Sequence, residues 1–142
     1  DEASAFFGGL AGNAGLFSTA RDVARVYQML LNGGEIDGQR YLSKETCQLF
    51  TTETSKISRR GLGFDKPDAD DPKKGNCAPA APAEVYGHTG FTGTCAWVDP
   101  MNELVYVFLS NRIYPDVTNR KLNQLHIRER IQGAIYDAMK KK

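Results

Sequence analysis

The chain has 142 residues, enough for one hydrophobic core, and at 41% hydrophobic and 25% charged its composition is that of an ordinary globular protein. Lys and Arg number 18 against 17 Asp and Glu, a net charge of +1, which gives no reason to expect nucleic acid or an anionic membrane as a partner. The longest apolar run, Leu104 to Leu109, is far short of the roughly 20 residues of a membrane helix. Cys47, Cys77 and Cys95, an odd set without Cys-x-x-Cys spacing, suggest neither a disulfide framework nor a zinc site.

The sequence opens in mid-phrase at Asp1-Glu2-Ala3-Ser4, without an initiator methionine, so a piece of a longer polypeptide is expected. From Phe6 to Gly15 glycines crowd into a short stretch that fits an irregular turn. Thr19 with Asp22 three residues on is a variant capping box, Ser18 being an alternative cap. Val23, Val26, Tyr27, Leu30 and Leu31 then recur at helical spacing until Asn32-Gly33-Gly34 stops the helix. Ser43-Lys44-Glu45-Thr46 starts a shorter helix that ends near Phe50-Thr51-Thr52, and Arg60-Gly61-Leu62-Gly63-Phe64 reads as a short strand.

Between Asp65 and Glu84, Pro67, Pro72, Pro79 and Pro82 stand among Asp68, Asp70, Asp71, Lys73 and Lys74, and no periodicity survives. A long flexible loop over 65–84 is expected. Strands are predicted over 85–89, 94–98 and 104–110, the last two joined at Asp99-Pro100-Met101-Asn102 by a type I turn into an antiparallel hairpin. Leu104 to Leu109 lacks alternation and reads as buried on both faces. From about Asn119 the chain is helical, with Leu122, Ile127, Ile131, Ala134, Ile135 and Ala138 on one stripe and Lys140 to Lys142 at the negative end of its dipole. The fold class is therefore α+β: about three antiparallel strands with the C-terminal helix packed on them, and the helix from Ala20 nearby.

The segment His88-Thr89-Gly90-Phe91-Thr92-Gly93-Thr94 stands out for chemistry. Small and hydroxyl-bearing residues at a strand end let a substrate approach the backbone, where free N–H groups can bind a developing oxyanion. A plain Gly/Thr turn with one packed histidine is the commoner meaning of such a segment taken alone. His126 reads as a surface or packing residue of the C-terminal helix, and two histidines are too few and too scattered for zinc. Asp68, Asp70 and Asp71 lack the glycine and glutamate of a calcium loop, and Arg59-Arg60 reads as plain surface. Nothing in the pattern calls for a metal or another cofactor.

The order of features carries more than any one of them. Gly15-Leu16-Phe17-Ser18-Thr19-Ala20-Arg21-Asp22 is followed by Gly61-Leu62-Gly63-Phe64, Gly87-His88-Thr89-Gly90-Phe91-Thr92-Gly93-Thr94, Trp97-Val98-Asp99-Pro100 and Val107-Phe108-Leu109-Ser110-Asn111-Arg112. This order resembles the class C β-lactamase and DD-peptidase family of penicillin-recognising serine hydrolases, over nearly the whole chain from Gly8 to Ala138. The Arg59-to-Asp65 run is similar to modules of this kind appended to bacterial cell-wall glycosidases. The resemblance implies that residues 1–142 are a single partial domain, the C-terminal portion, working in the periplasm or cell envelope on a small-molecule or peptidoglycan-type substrate. His88, Thr89 and Gly90 match the family's Lys-Thr-Gly or His-Thr-Gly motif. By that match His88 and Thr89 are a polar wall for the substrate carboxylate and proton relay, the Phe91 N–H is one oxyanion donor, and Thr92 lies beside it. Histidine, titrating near about pH 6.5 when unperturbed, can donate or accept at neutral pH where lysine cannot accept.

Two of the family's motifs are missing. None of Ser4, Ser18, Ser43, Ser55, Ser58 and Ser110 has a lysine three residues on, and no tyrosine has an asparagine two residues on. The nucleophile and the N-terminal portion of the domain are expected outside these residues, and the chain alone is expected to be inactive. The family's sheet has five strands, the first two contributed by that portion. The strand from Leu104 should therefore lack a neighbour, and either pairing of two copies through that edge or its refilling by another segment is expected. The alternative function is a non-catalytic module that binds cell-wall peptide or packs against a glycosidase domain.

Overall fold

A computed structural model describes residues 2–52, 55–68, 70–71 and 75–140. Asp1, Pro72, Lys73, Lys74, Lys141 and Lys142 of the features above lie outside the described residues. A short helix α1 (Glu2–Phe6), not anticipated from sequence, precedes the glycine-rich turn. Helix α2 spans Ala20–Leu31, and its start follows from Thr19, whose hydroxyl oxygen accepts the Asp22 N–H at 3.2 Å and donates to the Asp22 carboxylate at 2.8 Å. It ends where Gly34, at φ +95°, folds its N–H back onto the Met29 carbonyl at 2.8 Å.

A two-residue hairpin follows, β1 (Glu35–Ile36) with β2 (Gln39–Arg40). Asp37 and Gly38 both take positive φ, as an Asp-Gly type I′ turn requires. That dipeptide is a local signal for the hairpin. Helix α3 (Lys44–Thr51) is capped by Ser43, which accepts the Thr46 N–H at 3.1 Å.

The strand expected over 60–64 does not form. Among the described residues it is reduced to isolated bridge positions at Gly61 and Asp65; Asp65 N–H reaches the Gly87 carbonyl at 2.7 Å and Gly87 N–H reaches the Asp65 carbonyl at 3.1 Å. Gly61 and Gly63 explain this: the second, at φ +103°, turns the chain out of the extended region.

The main sheet is antiparallel with order β3 (Tyr86–Thr89), β4 (Cys95–Asp99), β5 (Leu104–Phe108). The Asp99 carboxylate shapes the β4–β5 turn by accepting the N–H groups of Met101 at 2.9 Å and Asn102 at 3.2 Å. Register sets which residues share a face. Gly87 opposes Trp97, which opposes Tyr106, while His88 opposes Ala96, which opposes Val107. Trp97 and Tyr106 form a core with Cys77, Val85 and Cys95, and Ile135 packs against it.

Helix α5 (Ile127–Met139) covers that face. Tyr106 donates its hydroxyl to the Arg128 carbonyl at 3.1 Å, and Tyr136 donates to the buried Asp99 carboxylate at 2.9 Å. Gln132, fully buried, accepts the Ala78 N–H at 2.8 Å and ties the 65–84 segment to the same helix. Helix α2 contacts β4 and β5, and the rings of Tyr27, Phe64 and Tyr86 run in edge-to-face steps of 6.2 and 5.3 Å to the second face of the sheet.

Two further expectations need correcting. The C-terminal helix is broken: α4 (Lys121–Gln124) ends, and His126 takes the left-handed conformation at φ +49° before α5 begins. His126 is therefore a joint rather than a helical residue. In β5 only Tyr106 is buried and its neighbours are half-buried; among the described residues β5 has a strand on one side only.

Candidate functional site

His88 and Thr89 close β3 and point to opposite faces, His88 toward the α2 side and Thr89 toward the α5 side. Both are half-buried, so each keeps a reachable polar tip. Beyond them Gly90 to Gly93 form a β-turn: the Gly93 N–H reaches the Gly90 carbonyl at 3.0 Å, and the Gly90 N–H reaches the Thr94 carbonyl at 2.8 Å. Phe91 sits at the exposed crest, and among the described residues no acceptor engages its N–H.

The two glycines are required by the turn itself. A side chain on Gly90 would run into the Thr94 hydroxyl, and Gly93, at φ +94°, lies where a Cβ would meet Ser110 Oγ at 2.6 Å. Space beside the turn is thus filled by the chain's own Thr94, Ser110 and Leu122. Thr92 is held from behind, since its carbonyl accepts the Arg112 N–H at 2.9 Å and the Ser110 hydroxyl at 3.1 Å.

Two arginines that sequence reasoning left without a role reach this place. The Arg112 guanidinium lies over the Phe91 ring at 4.8 Å from its centroid. Arg60, read as plain surface, puts Nη1 at 3.0 Å from His88 Nε2, and His88 Nδ1 lies 2.7 Å from the Thr89 carbonyl oxygen. Neither arginine has a carboxylate within ion-pair distance among the described residues. No spacing rule would have paired Arg60 with a histidine 28 positions away.

Arg59 does a different job. It grips the buried Asp65 carboxylate through two hydrogen bonds of 2.8 and 3.1 Å, and Asn76 adds a third at 2.9 Å. Burial alone would raise the Asp65 carboxyl, but the Arg59 and Asn76 hydrogen bonds and the nearby guanidinium charges outweigh it and hold the carboxyl below its ordinary value.

The other candidates fall away from the turn. Burial pushes the Cys77 thiol up to about 12 and the Cys95 thiol up to about 11, and it raises Cys47 as well. Protonated thiols in the interior are poor nucleophiles. Asp68 closes a local turn by accepting the N–H groups of Asp70 and Asp71. His126 lines a different cavity, with Cys77 and Glu129. A cavity of about 480 Å³ between α2, α3 and residues 83–86 is lined by Leu30, Cys47, Thr51, Lys66, Glu84 and Tyr86, and none of His88 to Thr92 borders it.

What the arrangement offers is a polar strand end: a histidine on one face, a threonine hydroxyl on the other, and a turn N–H and two guanidinium groups beside them. The fold that carries it is α+β, with an antiparallel sheet between helices. A model of the β-lactamase family matches residues 1–129, and the chain belongs to that family. Among curated proteins it is similar to an Escherichia coli protein named "Putative D-alanyl-D-alanine carboxypeptidase", with 36% identity over 116 residues, 82% of this chain and 26% of the relative. Proteins of the same name from Salmonella agona and Salmonella typhi are each 35% identical over 82% of this chain and 27% of their own length. The chain thus spans about a quarter of the curated relatives it matches. Among the described residues no helix is long and apolar enough to cross a membrane.

Proposed function

We propose that this chain supplies one wall of a serine hydrolase active site that turns over a β-lactam, a D-alanyl peptide or a simple ester through an acyl-enzyme. The observation that carries the reading is the end of β3: His88 and Thr89 stand beside a turn whose Phe91 N–H has no acceptor among the described residues. Family membership and the name of the relatives support it, and that name favours a substrate ending in D-alanine.

In this reading Thr89, with the His88 side of the wall, meets the substrate carboxylate and relays a proton. The Phe91 N–H donates to the oxyanion of the tetrahedral intermediate, and the Thr92 side of the turn borders the substrate. A hydrogen-bond donor aimed at that oxygen is worth about 100- to 1000-fold in rate. The attacking serine and its activating lysine lie outside these residues, since no serine here has a lysine three positions on. The 142 residues alone then hydrolyse nothing.

The test uses a chromogenic cephalosporin and a peptide ending in D-alanyl-D-alanine. The chain alone should release no product and show no acyl adduct with penicillin by mass spectrometry. Joined to an upstream segment bearing Ser-x-x-Lys, it should turn over one of the two substrates, and His88→Ala should lower kcat/KM by about 100-fold. Turnover by the chain alone that His88→Ala abolishes would overturn the reading. Binding of the peptide by the joined polypeptide without any turnover would favour a non-catalytic cell-wall module instead.

A further inference from the structure

The His88–Arg60 contact decides more than packing. Arginine has five N–H donors and no acceptor, so a guanidinium 3.0 Å from His88 Nε2 requires a lone pair on that nitrogen. The proton of the ring then belongs on Nδ1, where the Thr89 carbonyl oxygen waits at 2.7 Å. The two contacts agree on one tautomer, Nδ1–H, the minority form of a free neutral histidine side chain in water. With both nitrogens engaged in the chain by itself, the ring must exchange one of these contacts before it can donate to or accept from a substrate.

Arg60 is brought there by a built support. The Arg59 to Asp65 pair and the two-way Asp65 to Gly87 bridge pin the loop to β3 one residue before His88. Arg59 turns in to Asp65, while the next residue, Arg60, reaches His88 at the strand end. Only Nη1 is spent on His88, which leaves the rest of the guanidinium fork free of any carboxylate among the described residues.

We propose that Arg60 is a positioning residue for His88, fixing it as the Nδ1–H tautomer, and that it supplies the positive charge of this wall for an anionic substrate group such as a carboxylate. Where the family motif has lysine, this chain divides the work: histidine is the docking post and Arg60 carries the charge. The catalytic consequence rests on the hydrolase reading, whereas the tautomer is a property of the chain by itself.

Ring nitrogen-15 shifts of His88, measured on the 142-residue chain at neutral pH, test it directly. The parent should show Nδ1 as the protonated nitrogen and Nε2 as the bare one. Arg60→Met, which has no donor, should move His88 toward the Nε2–H form while other amide signals keep their dispersion. Arg60→Lys, which restores a donor, should return the parent pattern. An Nε2–H signature in the parent, or a tautomer indifferent to Arg60→Met, overturns the proposal and leaves the hydrolase reading standing. An Arg60-dependent tautomer in a joined polypeptide that hydrolyses nothing sustains the positioning role and removes the hydrolase reading.

Discussion

Single residues are tightly specified around the sheet's first strand. Gly87 faces Trp97 across the β3–β4 ladder, and a Cβ there would collide with the Ala96 carbonyl and come within 2.7 Å of Trp97 Cε3. Neither neighbour is free to yield, because one is backbone and the other is a fully buried indole. Gly87→Ala should therefore cost about 1–3 kcal/mol in urea unfolding, and it should disturb the β3 amides first. Asp65 gives a pH signature with a definite sign. Its folded carboxyl lies below the ordinary value near about 3.9, so its contribution is present above that pH and is lost as pH falls through the lower, folded value. Arg59→Met strands the buried carboxylate and should cost about 2–3 kcal/mol at neutral pH. Burial then raises the Asp65 carboxyl, so the gap between variant and parent should narrow as pH falls to about 4. A gap constant from pH 7 to pH 4 would show that Asp65 is not the group involved.

At the level of elements, β5 has the least support. It pairs with β4 on one side and has no strand on the other among the described residues. A strand carrying Val105, Tyr106, Val107 and Phe108 with open backbone groups is a template for pairing. We expect two copies of the chain to associate through β5. Hydrogen exchange of β5 amides should slow with rising protein concentration while β4 amides stay protected throughout, and sedimentation should show a dimer. Exchange in β5 independent of concentration counts against it. The helices show how local sequence reaches structure. Thr19 and Ser43 sit at N-caps and accept the N–H three residues on, as short polar side chains do without tertiary help. The break at His126 has no such local signature. It appears where α5 must turn to set Tyr136 on Asp99 and Gln132 on Ala78, so packing overrides the helical stripe.

Over the whole molecule, the core of Cys77, Val85, Cys95, Trp97 and Tyr106 is small, while Phe6, Phe7, Leu10, Leu16 and Phe17 are each more than 70% exposed. So much apolar surface near one end is unusual for a self-contained domain. The chain should raise the fluorescence of a hydrophobic dye under native conditions, and replacing Phe6 and Phe17 by serine should reduce that signal; a dye left unaffected by the parent chain would contradict this. The class of fold, the three strands, the caps of α2 and α3 and the family of His88-Thr89-Gly90 could be read from the sequence, because each depends on residues a few positions apart or on a recognisable order of motifs. The tertiary structure decided that Arg60 meets His88, that Arg59 serves Asp65, and that Thr94 and Ser110 fill the space beside Gly90 and Gly93. Those contacts join segments whose separation along the chain carries no period, and only the packing of the 55–65 loop and the β5 end against β3 and its turn brings them within bonding distance.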